Sequence, residues 1–201
     1  FSFFIGPVFI RLLRNKKALE IIDTDLPDQH QKKTGTPTMG GLIIMSGLLL
    51  ASFLWNNLSN YYVILMIITT ISLGTIGFYD DYLKNFKFKK KGLSPRHKLL
   101  GQVAVSLFIV AVIYFASDDK VTATSITLPF FKNVAVYMGV FFPLFVIFLV
   151  VGTSNAVNLT DGLDGLATGT ISIAVFTLGI MAYLKGNYNL ATYLQLGFIK
   201  E

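Results

Sequence analysis

The 201-residue sequence contains no cysteine, which excludes disulfides, thiolate nucleophiles and cysteine-ligated metals. Charge is scarce, with 14% charged residues against 53% hydrophobic ones. Histidine is nearly absent: His30 and His97 are the two present, each alone in a charged loop, and neither is assigned a role. The opening "FSFFIGP" lacks an initiating methionine, a basic flank and a small-residue cleavage site, so it does not read as a signal peptide. Phe1 reads as an internal residue of a longer polypeptide. The formal charge of +6 comes without an aromatic-rich nucleic-acid module, so no nucleic-acid partner is expected.

What the chain does have is long apolar blocks without amphipathic spacing, the pattern of a polytopic all-α membrane protein. A bilayer core of roughly 30 Å needs about 20 apolar residues. Blocks near 39–56, 61–79, 99–116, 134–152 and 166–184 qualify as spans. A sixth, "FSFFIGPVFIRLL", qualifies only if the chain once extended further.

Six spans sort the connections onto two sides. Thirteen of the 17 lysines and arginines fall on segments 11–38 and 80–98, while Lys120, Lys132, Lys185 and Lys200 fall on the other side. The positive-inside tendency makes the loops at about 14–38, 80–98 and 153–165 cytoplasmic. Residues 1–201 then read as part of a single transmembrane domain. On the opposite side, Asp118 and Asp119 read as a solvated loop charge.

Three chemically unusual stretches share the cytoplasmic side. Asp80 and Asp81 in "FYDDYLK" end an apolar span, where a carboxylate is costly unless hydrated or bound to a cation. Adjacent helical residues diverge by about 100°, so one should do chemistry while the other positions it. Two close carboxylates also raise the pKa of one of them, which suits proton abstraction. In "NAVNLTDGLDGL", Asn155, Asn158, Asp161 and Asp164 recur every three positions, with Gly162 and Gly165 permitting close backbone approach. Such oxygen ligands suit a hard cation such as Mg²⁺, usually with a phosphate. "KKTGTPTMGG" joins lysines, threonine hydroxyls and a helix N-terminus, all favourable to anions, although it lacks the order of a P-loop. One hypothesis joins the three: a phosphate-bearing soluble substrate, a divalent cation and a carboxylate base meet at the edge of the bilayer.

"GTPTMGG", "DDYLK" and "NAVNLTDGLDGLA" resemble, in order and spacing along essentially the whole chain, the signature segments of the phospho-N-acetylmuramoyl-pentapeptide transferase family. That family lies in the polyprenyl-phosphate N-acetylhexosamine-1-phosphate transferase superfamily. The resemblance implies Mg²⁺-dependent transfer of phospho-MurNAc-pentapeptide from UDP-MurNAc-pentapeptide to undecaprenyl phosphate, giving lipid I and UMP. The implied location is the bacterial inner membrane, with the site facing the cytoplasm among membrane lipid, and a homodimer is admitted. It also implies that Asp80 and Asp81 are the catalytic pair and that Lys84, Lys33 and Thr38 bind nucleotide or phosphate. Asn158, Asp161, Gly162 and Asp164 match the nucleotide-binding loop, with Asn158 and Asp161 nearest the metal. Direct attack and a covalent aspartyl route both stay open. The family has about ten spans, with a third aspartate and a histidine motif after the sixth; Glu201 precedes both, so the chain reads as incomplete at both ends and as inactive alone. Competing readings are a transferase of N-acetylglucosamine 1-phosphate, a cation transporter and a membrane scaffold.

Overall fold

The structure is a computed structural model that describes residues 2–15, 39–86, 92–127, 134–161, 165–194, 196 and 198. In chain order the helices are α1 (Ser2–Asn15), α2 (Gly41–Trp55), α3 (Tyr61–Phe86) and α4 (Pro95–Ala116), then the short α5 (Lys120–Ala123). Strands β1 (Ser125–Thr127) and β2 (Ala135–Tyr137) and a 3₁₀ turn at Gly139–Phe141 precede α6 (Phe142–Thr160), α7 (Leu166–Gly186) and α8 (Tyr188–Tyr193). The expected all-α membrane architecture is present, with a small antiparallel strand pair in register Ser125↔Tyr137, Ile126↔Val136 and Thr127↔Ala135.

Among the described residues, four stretches are long and apolar enough to cross a bilayer: Tyr61–Lys84, Pro95–Ala116, Gly139–Thr160 and Leu166–Gly186. The expected spans at 39–56 and at the start are shorter apolar helices, of 15 and 14 residues. At about 1.5 Å per residue, 15 residues cover roughly 22 Å, less than the hydrocarbon core. Between 6 and 17% of each long apolar window is buried, so these surfaces suit lipid rather than water.

In such surroundings hydroxyls need a partner within their own helix. Thr70 donates to the Met66 carbonyl, Thr75 to Ile71, Ser172 to Thr168 and Thr177 to Ile173. The same device explains a difference from expectation at α6. The polar stretch after 152, expected as loop, stays helical to Thr160, because Thr153, Asn155 and Thr160 donate to the carbonyls of Leu149, Val151 and Ala156. A side chain satisfied one turn back has no reason to leave the helix.

The chain divides into two compact units, Phe1–Val105 and Ser106–Glu201. Within the first, Leu13 of α1 and Met39 are buried together, with Phe9 and Leu42 packed against them. Glycines allow close helix approach: Met45's sulfur occupies the space a Cβ at Gly74 would need, and a Cβ at Gly101 would lie 2.9 Å from Ile76 Cδ1. Within the second, Asp119 is a helix cap rather than a bare loop charge. Its Oδ1 accepts from Val121 N at 3.0 Å and Thr122 N at 3.2 Å, and its Oδ2 from the Thr122 hydroxyl at 2.5 Å. The Thr122 hydroxyl and N–H, with help from Val121, hold this carboxyl below the usual carboxylate range.

Candidate active site

Helix α3 does not stop at residue 79, the expected edge. It continues to Phe86, and its last two turns carry Asp80, Asp81 and Lys84. Residues four apart share a helix face, and Lys84 Nζ lies 2.8 Å from Asp80 Oδ2. The same ammonium is 4.0 Å from Asp81 Oδ1. The two aspartates diverge as adjacent helical residues must, yet one flexible lysine reaches both. The side chain of Asp80 is 10% exposed and that of Asp81 is 41% exposed.

A carboxylate as enclosed as Asp80 is costly unless its charge is answered. Lys84 answers one oxygen. The other, Oδ1, accepts the backbone N–H of Leu93 at 2.7 Å, and Lys98 is near enough for its charge to act on Asp80. With both oxygens engaged, Asp80 is suited to holding Lys84 in place. Asp81 and the half-exposed ammonium are the more exposed groups of the cluster.

At the other candidate stretch, Asn158 lies in the last turn of α6 and Asp161 is its C-cap, and both are exposed. They are three residues apart and hence neighbours on one side of the helix end. Asp161 adds a charge where the helix dipole is already negative, an arrangement that favours a cation. Asn155, three residues before Asn158, is half-buried, with its amide on the Val151 carbonyl. No group of three or more His, Asp or Glu side chains clusters among the described residues, so those residues form no closed metal cage. An exposed amide oxygen and carboxylate do fit Mg²⁺, which keeps several waters and completes its shell with phosphates. The helix that follows, α7, starts from Gly165 in the left-handed conformation (φ 84°) with no side-chain cap.

Of the residues expected at a site, Asp80, Asp81 and Lys84 are brought together in the first unit, and Asn158 and Asp161 adjoin in the second. Lys33, Thr38, Gly162 and Asp164 lie outside the described residues. Next to the expected anion-binding segment, α2 begins at Gly41 without a side-chain cap, and Met39 is left-handed at φ 67° while buried against Leu13. Sequence reasoning missed Gly92, Leu93 and Lys98. They sit in "KKKGLSPRHK", where a run of lysines reads as a headgroup-facing flank and conceals a turn; the one available signal was a glycine just ahead of the Ser-Pro helix start.

The model of Glycosyl transferase family 4 matches residues 63–199, which include Asp80, Asp81, Lys84 and the whole Asn155–Asp164 stretch. A protein of Thermodesulfovibrio yellowstonii named phospho-N-acetylmuramoyl-pentapeptide-transferase is 43% identical over 99% of this chain and 55% of its own length. Proteins of the same name from Endomicrobium trichonymphae and Chlorobium limicola are 42% and 44% identical, each over 96% of this chain and 54% and 52% of theirs. The chain thus spans about half the length of these curated relatives. With a family match over more than half of its residues, including both candidate clusters, the chain belongs to Glycosyl transferase family 4.

Proposed function

We propose that this chain is part of an enzyme that transfers phospho-MurNAc-pentapeptide from UDP-MurNAc-pentapeptide to undecaprenyl phosphate, forming lipid I and UMP at the cytoplasmic face of the bacterial inner membrane. The observation that carries the reading is a lysine joined to two adjacent aspartates at the end of an apolar helix, in a chain 42–44% identical to proteins named for this transfer.

In this reading an oxygen of the lipid phosphate bonds to the phosphorus of the sugar phosphate, and the diphosphate bond to UMP breaks. Asp81, the more exposed carboxylate, accepts the proton that a monoprotonated lipid phosphate carries. Asp80 positions Lys84, whose ammonium offsets charge on the nucleotide diphosphate. Phosphoryl transfer relies on such positioning and charge neutralisation more than on covalent chemistry by the protein. Asn158 and Asp161 would hold Mg²⁺, which when bound offsets further charge on the phosphate oxygens. Gly162 and Asp164 complete the nucleotide loop, and Lys33 and Thr38 serve the uridine or phosphate end.

Two results test this. Full-length protein in mild detergent, with undecaprenyl phosphate and Mg²⁺, should release UMP from UDP-MurNAc-pentapeptide and not from UDP-N-acetylglucosamine; the reverse preference would transfer the reading to the N-acetylglucosamine enzymes. Single cysteines at Ser94 and Lys120, which flank the span Pro95–Ala116, should react with an impermeant thiol reagent from opposite faces, Ser94 from the cytoplasm. Labelling of both from one face would contradict the orientation.

A further inference from the structure

Gly92 has φ +61°, a conformation that L side chains rarely adopt, and a Cβ there would lie 2.6 Å from Asp80 Oδ1 and 2.6 and 2.9 Å from Lys84 Cε and Cγ. The lysine stem could yield to such an atom at little cost. Asp80 Oδ1 could not, because it is the atom that accepts the Leu93 N–H at 2.7 Å. One residue further on, the Ser94 carbonyl accepts from Lys98 N at 3.1 Å and Pro95 opens α4, so the turn is closed on its far side as well. Proline at the first helical position has its backbone angle preset.

We propose that Gly92 and the backbone N–H of Leu93 form a positioning clamp that holds Asp80, and through it the Lys84 ammonium, in register with Asp81. The inference rests on the proposed transferase reading and adds two positions to which that reading gives no role. Asp80 is the close partner of Lys84, at 2.8 Å against 4.0 Å for Asp81, so the place of the ammonium is set by wherever Asp80 is fixed. Asp80 belongs to a helix whose own backbone leaves the side-chain rotamer open. The Leu93 N–H selects one orientation of the carboxylate, and it does so with a donor that neither titrates nor depends on a side chain. Glycine at 92 is required twice, for the left-handed backbone that aims that N–H and for the absence of an atom where Asp80 and Lys84 sit. Gly92 and Leu93 touch no reacting atom in this account; they act through Asp80.

The test uses the full chain and compares Gly92→Ala in two backgrounds. Gly92→Ala should lower kcat/KM by roughly 10- to 10²-fold, the scale of a small misplacement of a positioned group, with an unchanged elution profile in detergent and a modestly lower thermal midpoint, because alanine is strained in a left-handed conformation. In an Asp80→Asn background the same substitution should cost less than about threefold, since residues acting as one unit are non-additive. An equal loss in both backgrounds, or no loss in the first, overturns the clamp. If Gly92→Ala does not fold, replacing Leu93 by its α-hydroxy acid keeps the side chain and removes only the N–H; roughly tenfold lower kcat/KM supports the clamp, and an unchanged value overturns it. Asp80→Asn inactive with Gly92→Ala fully active would remove the clamp alone. Asp80→Asn fully active would likewise remove the clamp alone, whereas full activity of both Asp80→Asn and Asp81→Asn would remove the transferase site itself and the clamp with it.

Discussion

Asp81→Asn should lower turnover by about 10³-fold, within the range for loss of a positioned general base. The carboxamide has nearly the shape of the carboxylate and keeps the half-exposed position of Asp81, but it cannot take a proton. Asp80→Asn should lose at least about 10²-fold by a different route, the loss of an electrostatic anchor. Both oxygens of Asp80 face donors, Lys84 Nζ and Leu93 N. An asparagine must turn its own NH₂ toward one of them, setting donor against donor. The ammonium then loses its 2.8 Å partner while its 4.0 Å approach to Asp81 remains. Initial rates of UMP release measure both variants, and Lys120→Ala, whose ammonium lies over the Tyr114 ring at 4.6 Å, serves as a near-silent control. Wild-type rates in both aspartate variants would remove the proposed site.

Asp161→Asn should lower turnover by about 10²–10³-fold at a fixed moderate Mg²⁺ concentration, the scale for losing one group that stabilises developing charge. The loss should be partly recovered at higher Mg²⁺. Asp161 is an exposed carboxylate at the C-cap of α6, where the helix end is itself negative, so neutralising it weakens attraction for a cation without disturbing a packed interior. A Mg²⁺ titration of the rate reads this directly. A variant with the wild-type rate and the wild-type Mg²⁺ dependence would show that Asp161 holds no metal.

The two clusters were legible in the sequence because lipid makes polar groups conspicuous: two carboxylates at the end of "TIGFY" and an Asn/Asp/Gly series after "FLVVGTS" stand out against apolar blocks. The ends of the spans were less legible, since a polar residue can either leave a helix or satisfy itself inside it. Thr153, Asn155 and Thr160 do the latter, so α6 reaches Thr160 where 152 was expected. At α3 the Asp80–Lys84 pair, one turn apart, likewise continues the helix past 79. The strand pair was not legible because strands of three residues are too short to establish a period of two. Asp119 read as loop charge because a cap is recognised from the short helix it starts, and α5 has only four residues. The bond from Leu93 to Asp80 crosses 13 positions of chain. It donates from the backbone, which carries no residue-type signal, and it adjoins a lysine run whose charge hid the turn.

If the Asp80–Lys84–Asp81 cluster serves transfer of a sugar phosphate to a polyprenyl phosphate, as proposed, the lipid product carries the evidence. The most direct measurement is mass spectrometry of the lipid product after full-length protein, wild type or Asp81→Asn, is incubated with UDP-MurNAc-pentapeptide, undecaprenyl phosphate and Mg²⁺. The wild type should form undecaprenyl-diphosphate-MurNAc-pentapeptide one for one with UMP, and the variant should form it about 10³-fold more slowly. Equal product from both proteins, or UMP released without any lipid-linked product, would contradict that role of the cluster.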